Sequence, residues 1–141
     1  KLFIIIILQL LTCCSPKIHN TNQTNSGVPK ISFCDLPKYE SQLVLIEGSY
    51  SGIDEYWAIN SLKKCKEKFN VELDYYKDGK PIPKEYQTIF DSAYSSYWNT
   101  FLIIKIIGKY DSKNPSGYGH LGSNKSRFIV EEFIDIKLMK R

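Results

Sequence analysis

Histidine is nearly absent: His19 and His120 are the only two in 141 residues. The four cysteines, Cys13, Cys14, Cys34 and Cys65, contain no Cys-x-x-Cys pair, which excludes a thioredoxin-like redox motif. Two cysteines and one histidine after residue 30, without ligand spacing, do not make a tetrahedral zinc site. No apolar run reaches the roughly 20 residues that a bilayer-spanning helix needs; the longest stops near Cys14. Charge of one sign is missing too. Setting aside Lys1, Lys17 and Lys30, the 19 basic residues fall to 16, against 15 acidic ones. A near-neutral balance lacks the electrostatic footprint of a nucleic-acid binder. What remains is ordinary globular material, 43% hydrophobic and 24% charged, enough for one modest core.

The chain divides by composition into three parts. Residues 1–14 open with Lys1 and continue as Leu-Phe-Ile-Ile-Ile-Ile-Leu-Gln-Leu-Leu, a positive start before a short apolar run, which is the pattern of a secretory signal. As a helix the run from Leu2 to Leu11 is about 15 Å long, half a bilayer core. Residues 15–30 are rich in Asn, Thr, Ser and Pro with no apolar period, and read as a flexible tether in which His19 is solvated. Residues 31–141 are the candidate folded domain.

The end of the apolar run, Leu11-Thr12-Cys13-Cys14, resembles the lipobox of bacterial lipoproteins. The resemblance implies a diacylglyceryl thioether on a cysteine that becomes the new N-terminus and is then acylated. Cys14 fits the acceptor position better, since Leu11 and Thr12 then precede it correctly; Cys13, in the place usually held by Gly, Ala or Ser, is the alternative acceptor. Two or more acyl chains hold a protein on a membrane with no spanning helix. The implied location is the bacterial cell envelope, with the membrane as partner.

Cys34 and Cys65 are left over. Export favours a disulfide between them, and closing a loop of about 30 residues contributes roughly 3–4 kcal/mol. Two separately buried thiols are the alternative.

Periodicity gives the architecture. Val44, Ile46, Gly48 and Tyr50 share one face of a strand over 42–50, and Leu102, Ile104, Ile106, Gly108 and Tyr110 share one over 102–110. Both carry Gly-x-Tyr, and a glycine late in a strand marks a bulge or a barrel corner. Tyr56–Asn60 is a shorter strand; Phe69, Val71, Leu73 and Tyr75 alternate as a third. Phe128, Val130, Ile134, Ile136 and Leu138 give the last, with Glu132 interrupting its inward face. Between the third and fourth, Pro83 suits a first helical turn, and Tyr86, Ile89, Phe90, Ala93, Tyr94 and Tyr97 recur at helical spacing as a core stripe. Three strands, a helix and two strands are the order of a mainly β, five-stranded OB-like barrel. An α+β two-layer sandwich shares that order and is the alternative.

Two segments are unusual. Lys63, Lys64, Lys66 and Lys68, interrupted by Glu67, read as a solvated loop or helix face. Residues 114–124, between the last two strands, hold Gly117-Tyr118-Gly119-His120-Leu121-Gly122. Their Gly-x-Gly-x-x-Gly spacing is not a dinucleotide fingerprint, because a strand rather than a helix follows. The loop resembles a motif of small exported bacterial proteins with a barrel-like domain, which implies architecture and no particular chemistry. The last inter-strand loop of an OB-fold helps form its ligand face, so Tyr118, His120, Lys125 and Arg127 are the candidate ligand-binding residues. His120 has three readings: a hydrogen-bonded ring fixing the loop, a ligand contact, or a general base. The last needs a nucleophile and an orienting group; Asp111 and Ser112 are near in sequence. No catalytic set, metal site or cofactor is expected. The expected function is a non-enzymatic envelope module binding a protein or saccharide, with nucleic acid disfavoured. A scaffolding domain without a small ligand, and a hydrolase built around His120, are the alternatives.

Overall fold

The computed structural model describes residues 27–141. The leader, with Cys13 and Cys14, and the tether as far as residue 26 lie outside the described residues. The order is a 3-10 turn at Phe33–Tyr39, β1 (Leu43–Ile53), β2 (Tyr56–Asn60), β3 (Val71–Asp74), α1 (Lys84–Ser95), β4 (Thr100–Asp111), a second 3-10 turn at His120–Gly122, and β5 (Ser126–Lys140). The strands close a barrel in the order β1-β2-β3-β5-β4. Among these five strands only β3 and β5 pair in parallel; the other pairs are antiparallel. Pairing of β1 with β4, from Leu43↔Lys109 to Tyr50↔Leu102, joins first strand to fourth and excludes the open sandwich. The protein is thus a mainly β, five-stranded OB-like barrel with its helix between β3 and β4.

The inward face is built by alternation. Val44, Ile46, Ile59, Val71, Leu102, Ile104, Ile106, Phe128 and Val130 are all fully buried. β1 serves two neighbours, β4 through Leu43–Tyr50 and β2 through Ser49–Ile53, and turns from one to the other at Gly48. A Cβ there would lie 2.7 Å from the Asn60 carbonyl oxygen, so the crossing needs glycine. The last strand departs from simple alternation. Register shifts against β4 fall on either side of Ile106 and Ile107, leaving Glu131 and Ile134 without opposite residues. Ile136 is buried as the even-numbered face predicts, but these bulges put Phe133 inward, leave Ile134 only partly buried and expose Leu138, a correction to that face.

One end of the barrel is covered by α1. Phe90 and Ala93 are fully buried, and the Phe90 ring lies 5.9 Å from Tyr50, 5.9 Å from Tyr75 and 6.1 Å from Phe133. The Tyr94 hydroxyl lies 2.8 Å from that of Tyr75 and 3.4 Å from that of Tyr50, tying the helix to β1 and to the end of β3. Burial pushes the Tyr50 and Tyr94 hydroxyls well above the usual tyrosine range. The 3-10 turn at Phe33–Tyr39 packs on β1 and β4 with Phe33 and Leu36 buried. Cys34 of that turn is joined by a disulfide to Cys65 of the 61–70 connection, Cα to Cα 5.4 Å. Before it, the Ile31 amide donates to the Leu45 carbonyl and the Leu45 amide to the Pro29 carbonyl. Pro29 and Lys30, assigned by composition to the tether, therefore already belong to the paired structure.

Candidate functional site

The 114–124 loop is a stapled unit. The Asn114 side chain accepts from the Ser116 amide at 3.1 Å and donates to the Gly117 carbonyl at 2.7 Å. The main chains of Tyr118 and Asn124 exchange two hydrogen bonds, at 2.8 and 3.0 Å, closing the glycine segment between them. Gly119 has φ of +72°, and a Cβ on it would sit 2.4 Å from Glu72 Oε2. Glycine lets the loop lie directly on β3.

Of the four candidate ligand residues, the structure brings two together. Arg127 stacks its guanidinium over the Tyr118 ring at 5.2 Å. Both line a cleft of about 370 Å³ with Lys77, Asp78, Asp111, Lys113 and Asn114. Arg127 is already engaged by three carboxylates: Asp74 at 2.8 Å, Asp111 at 3.0 Å, and Asp78. Asp74 is buried, and its other oxygen accepts from the Lys77 and Asp78 amides. Burial pushes the Asp111 carboxyl up, but the Lys113 amide and Arg127 together hold it below the usual carboxylate range. The Tyr118 hydroxyl accepts from the Asn114 amide at 3.0 Å; burial and the neighbouring Asp111 push it up. With its donors committed, Arg127 clamps β3, β5 and the loop together.

His120 has other partners. Its Nδ1 lies 2.8 Å from Glu55 Oε2 in the β1–β2 turn, and its ring meets the Tyr56 ring edge-on at 5.1 Å. Lys125 is exposed. Asp111 and Ser112 do not join His120: the first belongs to the Arg127 clamp, and the Ser112 hydroxyl donates to Glu40 Oε2 at 2.8 Å. The His120–Glu55 pair is an acid and a base at the surface, with no nucleophile among their contacts within the described residues.

Beside the loop lies the outward face of β2 and β3. Glu72 sits at its centre, half-buried. Asn124 donates to Glu72 Oε2 at 2.7 Å and to the Trp57 carbonyl at 3.3 Å, and the Tyr76 hydroxyl donates to Glu72 Oε1 at 3.3 Å. Burial pushes the Glu72 carboxyl up; the hydrogen bonds from Asn124 and Tyr76 partly offset it. Tyr76 and Tyr56 are 67% and 51% exposed. Tyr76 and Glu72 thus lie beside the loop whose His120 meets Tyr56 and Glu55, and Asn124, itself buried, ties Glu72 to the Trp57 carbonyl beneath. Sequence reasoning missed Glu55, Tyr56, Glu72, Tyr76 and Asn124 as a group, because strand alternation marks Glu72 only as outward-facing and says nothing of what lies over it.

The chain matches no family model, no curated protein and no solved structure.

Proposed function

We propose that this chain is a non-enzymatic binding module of the bacterial envelope, a lipid-anchored barrel whose β2–β3 face and adjoining loops take a saccharide. The observation that carries the reading is the pair of exposed rings, Tyr56 and Tyr76, flanking His120 and the half-buried Glu72, which the buried Asn124 holds in place. In OB-folds this face and the loops after β1 and β4 hold oligonucleotides or oligosaccharides. The fold gives only the place; the side chains choose between the two. Glu55 and Glu72 repel a phosphate backbone. Exposed aromatic rings suit the apolar faces of sugar rings, and the half-buried Glu72 carboxylate suits their hydroxyls. Titration calorimetry of the full chain with short N-acetylglucosamine oligosaccharides tests this. Tyr56→Ala and Tyr76→Ala should each weaken binding about three- to tenfold. Binding unchanged by both substitutions, or absent in the unaltered chain, refutes the saccharide face.

The anchor is supported by Leu11-Thr12-Cys13-Cys14 and by the polar stretch that follows. Palmitate labelling in a bacterial host is expected on the full chain and not on Cys14→Ser. Equal labelling of both moves the acceptor to Cys13; labelling of neither ends the anchor.

A further inference from the structure

The 61–70 connection between β2 and β3 carries Lys63, Lys64, Lys66 and Lys68 against a single acid, Glu67. All four lysines are exposed. The lysine ion pairs among the described residues are made by Lys30, Lys38, Lys80, Lys109 and Lys137, and none by these four. The loop is nevertheless held in place. Cys65 is bonded to Cys34, and Phe69 stacks on the buried Phe33 at 5.7 Å. Leu62, 47% exposed, projects beside the lysines. A connection fastened at two points that leaves four ammonium groups without carboxylate partners is a presented cationic surface.

Its position says what it meets. Lys30, where the chain enters the barrel along β1, lines the same cleft as Leu62 and Lys63. The disulfide fastens the loop to the turn immediately after that entry. The basic loop and the point at which the chain arrives from its N-terminal side are thus one surface, at the end of β2 away from Glu55 and His120.

We infer that the 61–70 loop is a membrane-contacting surface that docks the barrel on anionic lipid headgroups, with Leu62 as its apolar contact. The orientation rests on the anchored reading of the N-terminus. An anchor delivered along a polar tether brings this end of the barrel to the bilayer first and leaves the Glu55–His120 end of β2 turned outward. Charge complementarity selects anionic rather than zwitterionic lipid, and each lysine near such a surface strengthens partitioning about fivefold.

Cosedimentation of the unacylated full chain with vesicles tests this, one set phosphatidylcholine alone and the other equal parts phosphatidylcholine and phosphatidylglycerol. The chain should bind the anionic vesicles more tightly, and added salt should erase the difference. Lys→Gln at all four positions should weaken anionic binding by about fivefold per lysine and leave neutral binding unchanged. Lys→Arg at the same positions should retain it, which separates loss of charge from loss of fold. Equal binding of the Gln variant and the parent to anionic vesicles overturns the inference, as does no preference for anionic lipid. Tighter binding of a single-stranded oligonucleotide than of anionic vesicles, through the same lysines, also overturns it. Because the chain is unacylated, failure of palmitate labelling removes the anchor without touching this result.

Discussion

Arg127 draws three carboxylates from separate segments onto one guanidinium. It pairs with Asp74, Asp78 and Asp111, of which Asp74 is buried. Removing one partner of a buried ion pair leaves an uncompensated charge and costs about 3–5 kcal/mol. Arg127→Ala is therefore expected to lose about that much stability at neutral pH in urea unfolding. The deficit should shrink in acid. The Asp111 carboxyl is held below its ordinary value of 3.8, so its contribution is present above that value and lost as pH falls through the lower folded one. Glu72 runs the other way. Burial raises its carboxyl above 4.5, so the folded state holds this proton more tightly, and its effect is to lower stability as pH rises from 4.5 through the folded value. A carboxyl-carbon NMR titration should find the Glu72 midpoint above 4.5. Asn124→Ala should raise it further, since that side chain donates to the ionised form. An unshifted midpoint contradicts the described burial. At this scale the sequence was partly legible. The glycine loop announced itself through composition, and Tyr118 and Arg127 do meet. Arg127 could not be recognised as a clamp, because Asp74 and Asp78 reach it from about 50 residues away.

Strand alternation named most of the core at the level of elements, because a half-buried strand writes its inward face into every second residue. Two kinds of departure were illegible. Bulges at Glu131 and Ile134 exist only in relation to β4, and they turn Phe133 inward against the period. β3 is also shorter than its pattern: Phe69 is drawn off to stack on Phe33, and Tyr75 to bond Tyr94. The glycines were better signals. At Gly108, beside a register shift, a Cβ would lie 2.1 Å from the Ile129 carbonyl oxygen and 2.6 Å from the Phe128 ring. Backbone cannot yield as a flexible side chain can, so Gly108→Ala should destabilise by about 2–3 kcal/mol in denaturant unfolding. A loss well under 1 kcal/mol would mean that β4 and β5 are less closely apposed than described.

The whole molecule brings together features that the sequence keeps apart. Barrel closure seats the loop after β4 beside the turn after β1, so that His120 meets Glu55 and Tyr56, while Gly119 lies on Glu72. The strand order was readable from periodicity; the pairing of β1 with β4 that makes it a barrel was not, because the open sandwich shares that order. The same closure gathers Lys30, the disulfide and the lysine loop at the chain's entry. The proposed saccharide site lies on the β2–β3 face. Its most direct measurement is a titration of the isotope-labelled full chain with an N-acetylglucosamine oligosaccharide, followed by NMR. Resonances of Tyr56, Glu72, Tyr76, His120 and Asn124 should shift together and saturably, with those of Lys63–Lys68 unmoved. Shifts confined to another surface, or none at millimolar sugar, would contradict it.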